Sequence, residues 1–386
     1  MKKRERMSLV VFVALAAVLV WLPWGHSAGD GGVRCRAEVV SVDNDHVLQH
    51  GIIKTGFQRL VLRLVSGPFR GEEVVSTSNL MGKLELDAWY EVGDNLLAVL
   101  TVSEAGEIRH VEPRDHYRLS GLLWLFALFA ALIVGLGGAT GARAMLSFLI
   151  TGLMIWKVLI PSLLAGLNPL LVSFGVVMVL NFVVIFLVAG VGRLGFAAFT
   201  GASLGILVTC LVALLAGKVI HLNGAVKPFS ETLLYAGYPH LSLSMIFIGG
   251  IFLASSGAVM DLAMDISASM AEVARVDENA SSLSLMRSGL RVGRSVMGTM
   301  TTTLLLAYSG GFTSLLMAMM AQKVPLSIML NTSWVSSEII HTLSGSIGLV
   351  TVVPLTAVCG ALIFRPQAGS KVPVTSGATQ SAPEAA

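Results

Sequence analysis

Three carboxylates stand close together where an apolar run ends: Asp261, Asp265 and Glu272, within "GAVMDLAMDISASMAEVAR". At 100° per residue, Asp265 lies about 40° around a helix from Asp261 and Glu272 about 20°, so the three share one narrow stripe. Acids that face the interior of a membrane bundle mark routes for cations or protons, and burial there raises a carboxylate pKa towards the range where it exchanges a proton. The same acids at a membrane edge can instead be ion pairs that fix how two helices dock. The spacing leaves both readings open.

The residues that follow supply cations and hydroxyls. Arg291, Ser295, Thr299 and Thr302 share a face, with Gly298 beside it, if a helix starts before Val292. Asp261 and Asp265 sit near a helix C-terminus, where the macrodipole disfavours negative charge, so a cationic partner such as Arg291 or Arg294 is expected. Acid stripe against Arg-and-hydroxyl stripe is the natural pairing. A second constellation lies in "PLSIMLNTSWVSSEIIHTLS", where Asn331, Glu338, Thr342 and Gly345 fall on one face and Glu338 reaches His341 at i and i+3. That pair could shuttle a proton or bind a cation, and it is also the spacing of an ordinary solvated face. The binding set read from the sequence is therefore Asp261, Asp265 and Glu272 for a cation, Arg294, Thr299 and Thr302 to position them, and Glu338 from the last helix. Lys157 reads as a snorkelling interfacial residue and Asn181 as interhelical glue.

No GxSxG, HExxH or P-loop is present, and no glycine-rich turn joins a strand to a helix, so no enzyme activity is expected. The three cysteines, Cys35, Cys210 and Cys359, are far apart and form no CxxC pair, so no metal site, cofactor or disulfide framework is expected.

The elements that must hold these residues are set by composition. The chain of 386 residues is 54% hydrophobic and 13% charged, well below the roughly 25% charge of soluble domains, which points to a polytopic α-helical protein whose solvent is the lipid bilayer. A net charge of +3 is too weak to imply a nucleic-acid partner. "MKKRER" precedes an apolar run, so residues 1–25 read as a signal anchor and first span, or as a cleaved signal peptide with "HSAG" as the cut site; the anchor is preferred. Residues 30–118 alternate in short stretches such as "RLVLRLVSG", which predicts a small extracytoplasmic β-rich domain, barrel or sandwich. Residues 119–364 predict seven further spans, near 119–138, 145–165, 169–190, 196–217, 241–261, 296–319 and 345–364. That makes about eight transmembrane helices, with a cytoplasmic loop near 262–294 and a broken or re-entrant segment near 325–344. Basic residues flank the ends that this count leaves inside, which places both termini in the cytoplasm if the first helix is retained. Residues 365–386 read as a disordered cytoplasmic tail.

The motifs "SSGAVMDLAMDISASMAEV", "SGLRVGRSVMGTMTTTLLLAYSGG" and "SEIIHTLSGSIGLVTVVPLTA", with "SGPFRGEEV" and "YEVGDNLLAV" nearer the N-terminus, resemble those of the YibE/F-like family of multispanning bacterial membrane proteins. The resemblance covers about Arg34 to Phe364. It implies an outer β domain ahead of a helical membrane region in the bacterial inner membrane, and no established activity to carry over. Asp261, Asp265, Glu272, Gly293, Arg294, Gly298, Thr299, Tyr308 and Glu338 match its motif positions, whereas His341 stands where the family pattern suggests arginine. The expected function is transport of a small solute, cation or proton. The alternative is a membrane scaffold, binding a partner protein through its outer domain or associating with copies of itself.

Overall fold

The computed structural model describes residues 3–22, 32–103, 106–277 and 280–364. The "HSAG" cut site and the tail 365–386 lie outside these residues. The chain divides into two compact units, Trp24–Leu136 and the combination of Met1–Pro23 with Gly137–Ala386.

The first unit is built on six strands: β1 (Gly32–Asp43), β2 (Val47–His50), β3 (Ile53–Leu64), β4 (Glu73–Met81), β5 (Asn95–Val102) and β6 (Ile108–His116). All pairings are antiparallel, in the order β2-β3-β1-β5-β6, with β4 on the other edge of β3. Alternate residues point inward, namely Cys35, Ala37 and Val39 on β1, Leu60, Leu62 and Leu64 on β3, and Leu96, Ala98 and Leu100 on β5. That period of two is what produces a half-buried sheet. The Ser76 hydroxyl on β4 donates to the Val111 carbonyl on β6 at 2.6 Å, so the sheet curls until its two far strands meet. Gly56 bends β3 beside β2; its φ is +105° and a Cβ there would lie 2.1 Å from the His46 carbonyl oxygen, which only glycine tolerates.

The helices are α1 (Lys3–Trp21), α2 (Leu119–Met154), α3 (Ile160–Leu164), α4 (Pro169–Val188), α5 (Arg193–Val219), α6 (Thr232–Tyr235), α7 (Leu243–Val276), α8 (Ser282–Gly310), α9 (Thr313–Ala321), α10 (Leu326–Asn331) and α11 (Ser333–Ile363), with a π-helical turn at Ile155–Leu159 between α2 and α3. Among the described residues, five helical stretches are long and apolar enough to cross a membrane: 119–164, α4, α5, α7 and α11. α8 and α9, bent by 61° at a short break, make a sixth if they form one broken span.

The runs expected near 119–138 and 145–165 are two helices that meet at Gly138, whose φ of 53° and ψ of −131° are not helical. The other elements differ from the expected runs in two ways. Most of the loop expected near 262–294 is helical, since α7 runs on to Val276 and α8 starts at Ser282. Nothing between Asp261 and Arg275 breaks a helix, and the Ser281 hydroxyl caps α8 by accepting from the Ser284 amide. The segment 325–344 resolves into short α10 and the first turns of one continuous α11.

Small residues let the helices of the bundle close on each other. On α5 and α11, Gly201 meets Thr356, Gly205 meets Val352, and Gly348 meets Thr209, in an order that makes the two helices antiparallel. α7 runs parallel to α11, with Ser255 beside Gly345 and Met270 beside Gly360. α8 lies antiparallel to both, its Gly289 and Gly293 receiving Met270, Ile266 and Val353. α1 packs Phe12 and Leu19 into a separate cluster with Ile150, Val176 and Val183.

Candidate functional site

Of the seven residues selected from the sequence, Glu338 alone is buried, at 8% exposure. It sits in the second turn of α11, and its carboxylate meets two cationic or ionisable groups. Lys227 Nζ, from the loop before α6, donates to Oε2 at 2.7 Å. His341 Nδ1 lies 3.4 Å from Oε1, long for a hydrogen bond. The His341 ring stacks on Tyr308 of α8, with centroids 4.1 Å apart, and meets Phe247 of α7 edge-on at 6.3 Å. Phe247 and Phe312 also stand 5.8 and 5.9 Å from Lys227 Nζ, within cation–π reach. Four separate parts of the chain thus close around one carboxylate.

The cluster keeps unused hydrogen-bonding capacity. The Tyr308 hydroxyl and both His341 ring nitrogens are buried without a hydrogen-bond partner. Such groups are costly to leave unmet. Beside it a cavity of about 190 Å³ is lined by Leu305, Ser309, Phe312, Glu338 and Thr342, among others. Its lining surface is almost wholly apolar, so it suits a small apolar group rather than water.

The acid stripe is elsewhere. The contact of Phe247 with His341 places Glu338 at the level of residue 247 on α7. Asp261 is fourteen residues further along, about 21 Å at 1.5 Å per residue. Asp261 and Asp265 are exposed and, among the described residues, form no ion pair. Glu272 is also exposed and pairs with Arg275 on its own helix, at 2.6 Å.

The expected pairing of this stripe with α8 does not form. α7 meets α8 through Ile266 and Met270, which lie about 140° and 180° around the helix from Asp261. α8 meets α7 through Gly289 and Gly293, each about 160° from Arg291. The small glycines decide the contact, and the two polar stripes point away from each other. Arg291 and Arg294 are exposed without an ion-pair partner among the described residues. The Thr299 and Thr302 hydroxyls donate back to the Val296 and Gly298 carbonyls of their own helix.

Two other polar residues have definite partners. Lys157 is buried rather than snorkelling, and its Nζ donates to the Leu22 carbonyl at 2.8 Å, where a cation suits the C-terminal end of α1. Asn181 on α4 donates to Ser203 Oγ on α5 at 2.9 Å, the interhelical role expected of it.

Sequence reasoning missed Lys227 and Tyr308 as parts of the Glu338 cluster. Lys227 is 111 positions from Glu338 and looks like one more loop lysine. Tyr308, a lone phenol at the end of a Thr- and Leu-rich helix, was visible only as a motif position.

No curated protein and no solved structure matches the chain. A family model described as YibE/F-like protein matches residues 125–366, well over half of the sequence and the whole of the Glu338 cluster.

Proposed function

The chain belongs to the YibE/F-like family and its apolar helices make it a membrane protein; from that premise we propose that it transports a small solute or ion, with Glu338 as the ionisable centre of the route. The observation that carries this reading is a buried carboxylate, shared between Lys227 and His341, at the wall of a small cavity. Intramembrane ionisable groups are expensive and are kept where they bind or pass charge. Lys227 neutralises Glu338 at rest. A proton or cation arriving at the carboxylate would compete with Lys227 and release its ammonium, which is how occupancy would be felt in the neighbouring loop. In this reading the chain sits in the bacterial inner membrane with both termini in the cytoplasm, and the Glu338 end of the bundle faces outward.

The test uses the full chain in vesicles loaded with a pH dye or a sodium dye, under an imposed potassium diffusion potential. Wild type is expected to dissipate one of the imposed gradients, and Glu338→Gln to do so at least tenfold more slowly while melting at a similar temperature. Equal flux in both proteins removes Glu338 from the route, and no flux above empty vesicles under any gradient removes transport.

A specific observation also favours the scaffold reading. Ile52, Ile53, Met81 and Leu84 are exposed on the β unit, and Met81, paired with Thr55, shares the face of Ile53. Large exposed apolar side chains grouped in this way mark docking surfaces. Ile53→Ser with Met81→Ser should leave flux unchanged; loss, in that variant, of a protein that cross-links to the wild-type β unit in native membranes would assign the unit a partner.

A further inference from the structure

We propose that this chain assembles head to tail with further copies of itself, the acidic face of α7 in one copy seated against the arginine-and-hydroxyl face of α8 in the next. Within one chain both faces are bare. Asp261 and Asp265 are exposed on α7, and a Cβ built at neighbouring Gly257 meets nothing within 4 Å. Arg291, Arg294, Ser295 and Thr299 are exposed on α8, and Gly298 in their midst is equally open. Opposite charges at matching positions give complementary faces that steer and register an interface. Each face carries what the other lacks.

The depths of the two faces agree. Ile266 packs against both Gly289 and Gly293, which sets residue 266 of α7 level with about residue 291 of antiparallel α8. Asp265 is therefore level with Arg291 and Arg294. Asp261, four residues or about 6 Å further along, is level with Ser295 and Thr299. Copies related by an axis along the membrane normal keep every residue at its own depth. Each acid of one copy then meets a cation or hydroxyl of the next without vertical shift. Gly257 and Gly298 allow close approach of the two backbones.

The symmetry follows from the same contacts. The two faces point away from each other within one chain, so they cannot lie in a single self-complementary patch. The interface is heterologous, and such interfaces close into rings when the rotation permits.

The experiment uses the full chain in its native membrane, with Cys35, Cys210 and Cys359 replaced by serine and with Asp265→Cys and Arg291→Cys introduced together. Mild oxidation should give a ladder of two, three and more linked copies on a non-reducing denaturing gel, ending at the ring size. Each single-cysteine variant should remain unlinked. Monomer alone, with both cysteines still reactive to a water-soluble thiol reagent, overturns the proposal. So do a dimer from either single-cysteine variant, which would mean a twofold contact of like faces, and a link to a protein of different mass. Gly298→Leu guards against misfolding of the cysteine variants, because its side chain enters open space in one chain. It should melt as wild type in detergent yet run as a single copy in native mass measurement, where the wild type runs as several; a wild type that runs as one copy, or an assembly that survives the leucine, also overturns it.

Discussion

Glu338 and Lys227 differ in what each loses when the other is removed. Lys227 is partly exposed and can turn to water, whereas the carboxylate of Glu338 is enclosed by α11, His341 and the cavity wall. Lys227→Met therefore leaves a buried acceptor unmet and should destabilise the protein by roughly 1–3 kcal/mol. Glu338→Gln in the same chain should return most of that loss, because it removes the charge that lacked a partner. Thermal melts of the four proteins of this cycle measure the coupling. A second residue-scale prediction concerns pH. The Arg118 guanidinium, by hydrogen bonding, holds the Asp115 carboxyl below the usual carboxylate range, with burial acting in the opposite sense. A depressed folded pKa gives stability that is complete above the unfolded value near about pH 4 and is lost as pH falls through the folded value. Arg118→Ala should thus melt lower than wild type at neutral pH and match it near the acid limit. Both side chains are at least half exposed, so the difference will be small. The sequence contained Glu338 and its i+3 histidine, since local spacing predicts local contact. It did not contain Lys227 as their partner, because a pair 111 residues apart is made by the fold and leaves no periodic mark.

At the scale of elements, the seam between α5 and α11 is set by glycine rather than by apolar bulk. A Cβ at Gly348 would stand 1.7 Å from Thr209 Oγ1 and 3.0 Å from its Cβ, so Gly348→Ala must push the two helices apart. A cost of about 1–3 kcal/mol is expected from overpacking. Thr209→Ala in the same chain should recover part of it, and a melting series on the two single variants and the double variant checks both. Helix identity was largely readable here, because long apolar runs have one outcome in a membrane. Helix ends were less so: α7 continues fifteen residues beyond Asp261 and α8 begins fourteen before Val296, since hydropathy reports where lipid stops and not where hydrogen bonding stops. The docking of α7 on α8 was misjudged for a related reason. Opposite charges on adjacent helices suggested an ion-pair seam, but Gly289 and Gly293 offer Ile266 and Met270 a closer fit, and that contact turns the charges outward.

The whole molecule divides into two compact units. The β unit has its own core, in which Tyr90, Leu60, Leu62, Leu96 and Leu100 are fully enclosed, and its strands pair only with each other. Residues 30–118 produced alone should therefore be soluble and show a single cooperative melt with a β-type circular dichroism spectrum; a spectrum without structure would mean that the sheet depends on the helices. Alternation in sequence was enough to expect such a unit, although the curl that joins β4 to β6 depends on a serine-to-carbonyl bond that no pattern announces. The other unit contains the feature with the widest consequence. α7 is 34 residues long, about 51 Å, against a hydrocarbon layer of about 30 Å, and α8 starts at Ser282 soon after it ends. α7 thus exceeds the thickness of the acyl layer by roughly 20 Å. Ile266, seated between Gly289 and Gly293, ties that long helix to α8, the same helix whose Tyr308 ring lies against His341.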